Sequence, residues 1–119
     1  MPRRKRLYCE KREFDDTGHL PKQFISATQM RELFNKGNYF DRFWHGEFLA
    51  CLRKEHTPNS IDEPPNSRSL TLDYLNRDGS RVCRVHLYLR PDGTIGGRDG
   101  RPDPKQMIVD GVKYVLGPG

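Results

Sequence analysis

The sequence lacks any long apolar run. A membrane-spanning helix needs roughly 18 or more apolar residues in a row, and only 34% of these 119 residues are hydrophobic. No membrane contact is expected. The N-terminus is basic but has no apolar stretch behind it, so it does not read as a secretory signal, and a cytoplasmic protein is the default. Cysteine is scarce: Cys9, Cys51 and Cys83 are far apart, and no C-x-x-C pair occurs. Zinc-ribbon chemistry is therefore excluded, the thiols are expected to be reduced and buried, and no metal or cofactor is expected. Nucleotide-binding signatures are missing too. The glycine-rich segment 93–105 is followed by no Gly-Lys-Ser/Thr, and its spacing does not open a dinucleotide fold. No repeat with a period of tens of residues is present.

Charge is abundant, at 31% of residues, with a net value of +5. Its location is uneven. Residues 1–12 hold Arg3, Arg4, Lys5, Arg6, Lys11 and Arg12 against Glu10, while the remaining acidic and basic residues cancel. The chain thus reads as a basic N-terminal arm, 1–12, joined to a single domain, 13–119. Such an arm suits non-specific phosphate contact as well as a solvated tail.

The clearest pattern is RVCRVHLYLR, residues 81–90. Cys83, Val85, Leu87 and Leu89 fall on one side, and Arg84, His86, Tyr88 and Arg90 on the other, with Val82 the apolar exception. A period of two is that of a strand with one face on a core and the other facing water or a ligand. Two further strands read at His45–Arg53 and Ser69–Leu75. Others are expected at 6–14, 107–109 and 112–116. Asn76-Arg77-Asp78-Gly79, Arg90-Pro91-Asp92-Gly93 and Asp110-Gly111 suit tight hairpin turns. One helix is evident at Ala27–Lys36: Ser26 and Gln29 form a capping box, Ile25 and Met30 a staple, and Gly37 a stop. The aromatic run from Tyr39 to Trp44 reads as a turn or loop covering the core. The fold class is α+β, an antiparallel meander of about four to six strands with one helix on one face.

If the three middle strands pair in sequence order, the open face gathers His45, Glu47 and Arg53, then Thr71 and Asp73, then Arg84, His86, Tyr88 and Arg90. Two chemistries suit that inventory. A nucleic-acid-binding face, with RNA or single strands favoured, would use Arg53, Arg84 and Arg90 on phosphates and Tyr88 on bases. Arg98, Arg101 and Lys105 of the glycine-rich loop, and Arg3, Arg4, Lys5 and Arg6 of the arm, would add charge. A metal-independent endoribonuclease would use Glu47 or His45 as base, His86 as acid and Arg84 on the phosphate. A third option is a protein-interaction module whose partner covers the open face. Polar outward faces are ordinary in one-sided sheets, so composition alone leaves the activity open. His19 and His56 fall in loop-like segments and carry no signal.

Overall fold

In the computed structural model, which describes residues 18–58, 63–96 and 100–117, the helix lies where its capping residues place it. Strand β1 (Lys22–Ile25) leads into α1 (Ala27–Lys36). The Ser26 hydroxyl accepts from the Gln29 amide at 3.1 Å, and the Gln29 side chain accepts from the Ser26 amide at 3.0 Å. Met30 and Phe34 are buried, and Ile25 packs on the same cluster. The stop differs from expectation. Gly37 has φ −85°, and the left-handed residue is Asn38 at φ 55°. Glycine at 37 serves space instead, because a Cβ there would stand 2.4 Å from the Tyr39 ring.

A second helix, α2 (Tyr39–Trp44), occupies the aromatic run. It is followed by β2 (Leu49–His56), β3 (Arg68–Leu75), β4 (Arg81–Leu89), β5 (Ile95–Gly96), β6 (Asp103–Val109) and β7 (Val112–Leu116). The class is α+β, with seven strands and two helices among the described residues rather than the smaller set expected. The strands form one sheet in the order β1-β7-β6-β4-β3-β2, with β5 beside the end of β4. All pairings are antiparallel except β1 with β7.

The β4 pattern holds. Cys83, Val85 and Leu87 are buried, and Arg84 and His86 share the other face with their partners Asp73 and Thr71 on β3. Val82 falls where the ladder shifts, since Tyr74 pairs with Cys83 but Leu75 with Arg81. The two turns flanking β4 share one construction. Gly79 and Gly93, at φ 92° and 89°, take the left-handed position that follows a type I turn. Asp78 and Asp92 each accept from the amide two residues on, at 2.9 and 3.0 Å.

Three expectations are corrected. The second strand starts at Leu49, not His45, because helical geometry continues through Trp44 and His45 caps it. Trp44 consequently leaves the core and is 71% exposed. Second, β1 was unforeseen: KQFI has no alternation, and the strand is recruited through parallel pairing with β7. The strand expected at 6–14 lies outside the described residues. Third, the end of the glycine-rich segment is strand: β6 begins at Asp103 and carries Pro104 at a ladder shift, where a missing N–H is tolerated.

The core lies between this sheet face and the two helices: Met30, Phe34, Phe48, Tyr74, Val82, Cys83, Val85 and Met107. Burial pushes the free Cys83 thiol well above its ordinary range, which keeps it protonated. Cys51 is disulfide-bonded, against the expectation of reduced thiols. It pairs with Asp73 on the polar face instead of entering the core.

Candidate nucleic-acid interface

Register places the polar side chains in rows across β2, β3, β4 and β6. One row reads Cys51, Asp73, Arg84, Gln106. The next reads Lys54, Thr71, His86, Asp103, and the last His56, Ser69, Tyr88, Gly96. Between the first two rows β2 carries a bulge at Arg53, since pairing shifts between Leu52 and Lys54. A bulge re-aims the side chains beside it, and here both Arg53 and Lys54 serve the polar face.

Asp73 is the hub of this face and is only 3% exposed. Arg84 donates to it twice, Nε to Oδ1 at 2.8 Å and Nη2 to Oδ2 at 3.3 Å. Arg53 donates Nη1 to Oδ2 at 3.4 Å, and Arg81 stands 3.7 Å from the same oxygen. Arg81 also donates to Gln106 at 3.1 Å. This part of the face is therefore more buried and more paired than an open sheet surface.

The second cluster surrounds His86. The Ser69 hydroxyl lies 2.7 Å from Nε2, and the Tyr88 ring meets the imidazole edge-on at 4.9 Å. Burial holds the His86 pKa below its ordinary range; Lys105 and His56 push the same way, and Asp103 opposes. A depressed folded-state pKa means that the unfolded chain takes up the proton more readily. The neutral ring thus contributes stability that is full above the unfolded value and is lost as pH falls through the folded one. The urea midpoint is expected to fall between about pH 7 and pH 5, and His86→Gln should flatten that fall. The lowered carboxyl groups of Glu47, Asp78 and Asp92 titrate below this window. An unchanged pH profile in the variant would show that another group is responsible.

The other sequence candidates divide. Arg90 is tied to Glu63, Nε to Oε1 at 3.0 Å, and the buried Glu63 carboxylate fills the place a Cβ at Gly96 would take, 2.4 Å away. Lys105 pairs with Asp103 at 3.5 Å beside His86. Arg101 reaches Asn35 on α1 at 3.3 Å, away from the polar face. Arg98 and Arg3, Arg4, Lys5 and Arg6 lie outside the described residues. His45 and Glu47 do not join the site. His45 holds the Asp41 carbonyl at 2.8 Å, and Glu47 pairs with Arg42 at 2.6 Å. Glu47 precedes Lys54, the strand partner of the His86 row, by seven residues, a separation on the order of 20 Å at strand rise. Sequence reading missed Lys54, Ser69 and His56. The first and last lie beyond Arg53, where the expected strand ended, and a buried serine whose hydroxyl meets a histidine on the neighbouring strand has no sequence signature.

A cleft of about 450 Å³ lies by the turn between β3 and β4, where Arg42, Tyr39 and Phe48 meet Leu20 and Arg81, the same arginine that approaches Asp73. None of Arg53, Arg84, His86 or Tyr88 lines it. Among the described residues no group of three His, Cys, Asp or Glu side chains is placed to hold a metal ion. Nor is any helix there long and apolar enough to cross a membrane.

No protein-family model matches the chain, and no solved structure matches it. Among curated proteins it is similar to core protein VP7 of Bluetongue virus 17 (isolate USA), 33% identical over 86 residues, and to that of Bluetongue virus 2 (isolate USA), also 33% over 86 residues. The likeness to VP7 of Bluetongue virus 13 (isolate USA) is 32% over 85 residues. In the first two, the aligned segment covers 71% of this chain and 24% of the viral protein. The chain thus spans about a quarter of the length of the curated relatives it matches.

Proposed function

We propose that the polar face of the sheet binds single-stranded nucleic acid, RNA ahead of duplex DNA. The observation that carries this reading is register: Lys54, Arg84, His86 and Tyr88 share one face of β2 and β4, and Arg53 joins them there through its bond to Asp73. Exposed guanidinium and ammonium groups neutralise phosphates. A tyrosine ring steadied by a neighbouring imidazole offers a stacking platform. Duplex reading by a groove-inserted helix has no support, because α1 spends Met30 and Phe34 on the core. A basic arm and Lys105 would add charge. A cytoplasmic setting suits such a ligand; the Cys51 disulfide, a bond rare in the reducing cytosol, is the observation against it.

Fluorescence anisotropy with a labelled oligouridylate at several salt concentrations tests the reading. Affinity should fall steeply with salt. Tyr88→Ala should cost about 1–3 kcal/mol with the salt slope unchanged, since stacking carries no charge. Salt-insensitive binding, or none to any RNA or DNA pool, would refute it. The ribonuclease alternative needs a second proton-transfer group near His86; neither His45 nor Glu47 stands there, so that role would fall to Asp103 or His56. Intact RNA after long incubation in EDTA would remove it.

A second reading, protein assembly, draws on the likeness to proteins named as viral core proteins. It also draws on β1, a four-residue strand at the sheet edge whose Phe24 is 63% exposed. Strand edges pair readily with another chain. Concentration-dependent sedimentation of the isolated protein, reduced by Phe24→Lys, would support this reading over the first.

A further inference from the structure

We infer that Asp73 builds a phosphate-binding site on the sheet by gathering the guanidinium groups of Arg53 and Arg84 onto one carboxylate. The inference rests on the nucleic-acid reading for its natural ligand, a backbone phosphodiester. Its chemistry is separable from that reading, because inorganic phosphate carries the same oxygens.

Charge is the first argument. One carboxylate balances one cation. The Asp73 carboxylate receives Arg84 through two hydrogen bonds and Arg53 through a third, so positive charge remains on the exposed side of the pair. Geometry is the second. A guanidinium has five N–H donors. Arg53 spends one on Asp73, at 3.4 Å, and its side chain is 42% exposed. Arg84 spends its Nε and Nη2 inward, which leaves its Nη1 edge for a ligand. The Arg84 fork, held by two bonds, loses little freedom on binding; Arg53 is tethered by one long bond, and planar guanidinium forks match the oxygens of a phosphate.

Backbone placement is the third argument. The bulge at Arg53 inserts one residue into β2, so Arg53 reaches Asp73 while Lys54 comes opposite Thr71 in the next row. A regular strand would send one of the two side chains to the core face. Lys54 thus supplies a third cation, and Thr71 a hydroxyl, beside the two forks. Asp73 is a positioning residue: it touches no phosphate and acts through the arginines.

The test uses the full chain and two probes, inorganic phosphate and a labelled oligouridylate. In the wild type, phosphate should shift the side-chain NMR signals of Arg53 and Arg84. Arg53→Gln should weaken oligouridylate binding by about tenfold and reduce the salt slope by about 0.7, the value for one lost single-strand phosphate contact. Arg53→Lys, which keeps the charge but not the fork, should restore the slope and only part of the affinity. Asp73→Asn, whose amide can accept from only one of the two inward Arg84 donors, should weaken the phosphate shifts in a folded protein; stronger shifts would show that charge alone sets binding and would overturn the positioning role of Asp73. If that variant fails to fold, Arg53→Gln decides alone, since its side chain is exposed. Wild-type affinity and slope in Arg53→Gln, together with weakened binding in Tyr88→Ala, would overturn the phosphate site and leave the face reading intact. Phosphate shifts without any oligouridylate binding would do the reverse.

Discussion

Asp73→Ala is expected to destabilise the protein by about 3–5 kcal/mol, the cost of breaking a buried ion pair from one side. The reason is what the substitution leaves behind. Arg81 is buried, and Arg84 turns both of its inward donors toward the lost carboxylate. A largely buried guanidinium that loses a carboxylate partner retains the desolvation cost which that partner offset. The opposite truncation should be mild. Arg53→Ala removes an exposed partner with a single long bond, and such pairs contribute about 0–1 kcal/mol. Urea denaturation reads both: the Asp73→Ala midpoint should fall with its slope unchanged, and Asp73→Asn, which still accepts a hydrogen bond, should fall between the two. Equal small losses in all three variants would show that Asp73 is not the hub of the polar face. Small domains have about 5–15 kcal/mol in total, so the alanine variant sits near the edge of folding.

That hub also marks how far local pattern reached. The β4 decapeptide, the capping box and the three Asp-Gly turns are local devices, in which a few adjacent residues decide the outcome. All were legible without the fold. Elements that depended on a partner were not. β1 is a strand because β7 offers it hydrogen bonds, and β6 extends to Asp103 because β4 pairs with it there. The boundary of β2 was misplaced by competition between two periods. Trp44, Phe48, Ala50 and Leu52 fit a period of two, but Phe40 and Trp44 meet at helical spacing, their rings tilted and 6.1 Å apart, and the helix won. His45 and Glu47 fell with that boundary, which cost the expected acid–base set. Arg84, His86, Tyr88 and Arg53 lie on the polar face as expected because they belong to strands whose phase was right. What no pattern showed was that Asp73 would bind three arginines at once, or that Glu63 would fill the space beside Gly96. Both depend on register across strands distant in sequence.

The aromatic cluster gives the second large effect. Tyr74→Ala is expected to cost about 3–5 kcal/mol, as large-to-small changes at fully buried aromatic sites do. Tyr74 is 1% exposed, and three rings converge on it: Phe43 at 4.6 Å, Phe48 at 6.2 Å and Phe34 at 6.4 Å. Those rings come from α2, the segment before β2, and α1, so one side chain on β3 joins both helices to the sheet. Alanine would leave a cavity and remove the ring contacts, each of which is worth about 0.5–1.5 kcal/mol beyond its area. Burial, not ring size, should set the cost. Trp44 is larger, but it is 71% exposed and touches Phe40 at the rim, so Trp44→Ala should stay within about 1 kcal/mol. Tyr74→Phe should also be mild, because it keeps the ring. Amide exchange in Tyr74→Ala should rise first in α2, whose docking depends on Phe43, before it rises in β3 and β4. Equal losses for Tyr74→Ala and Trp44→Ala, or uniform exchange across the sheet, would mean that the helices are held by something other than this ring cluster.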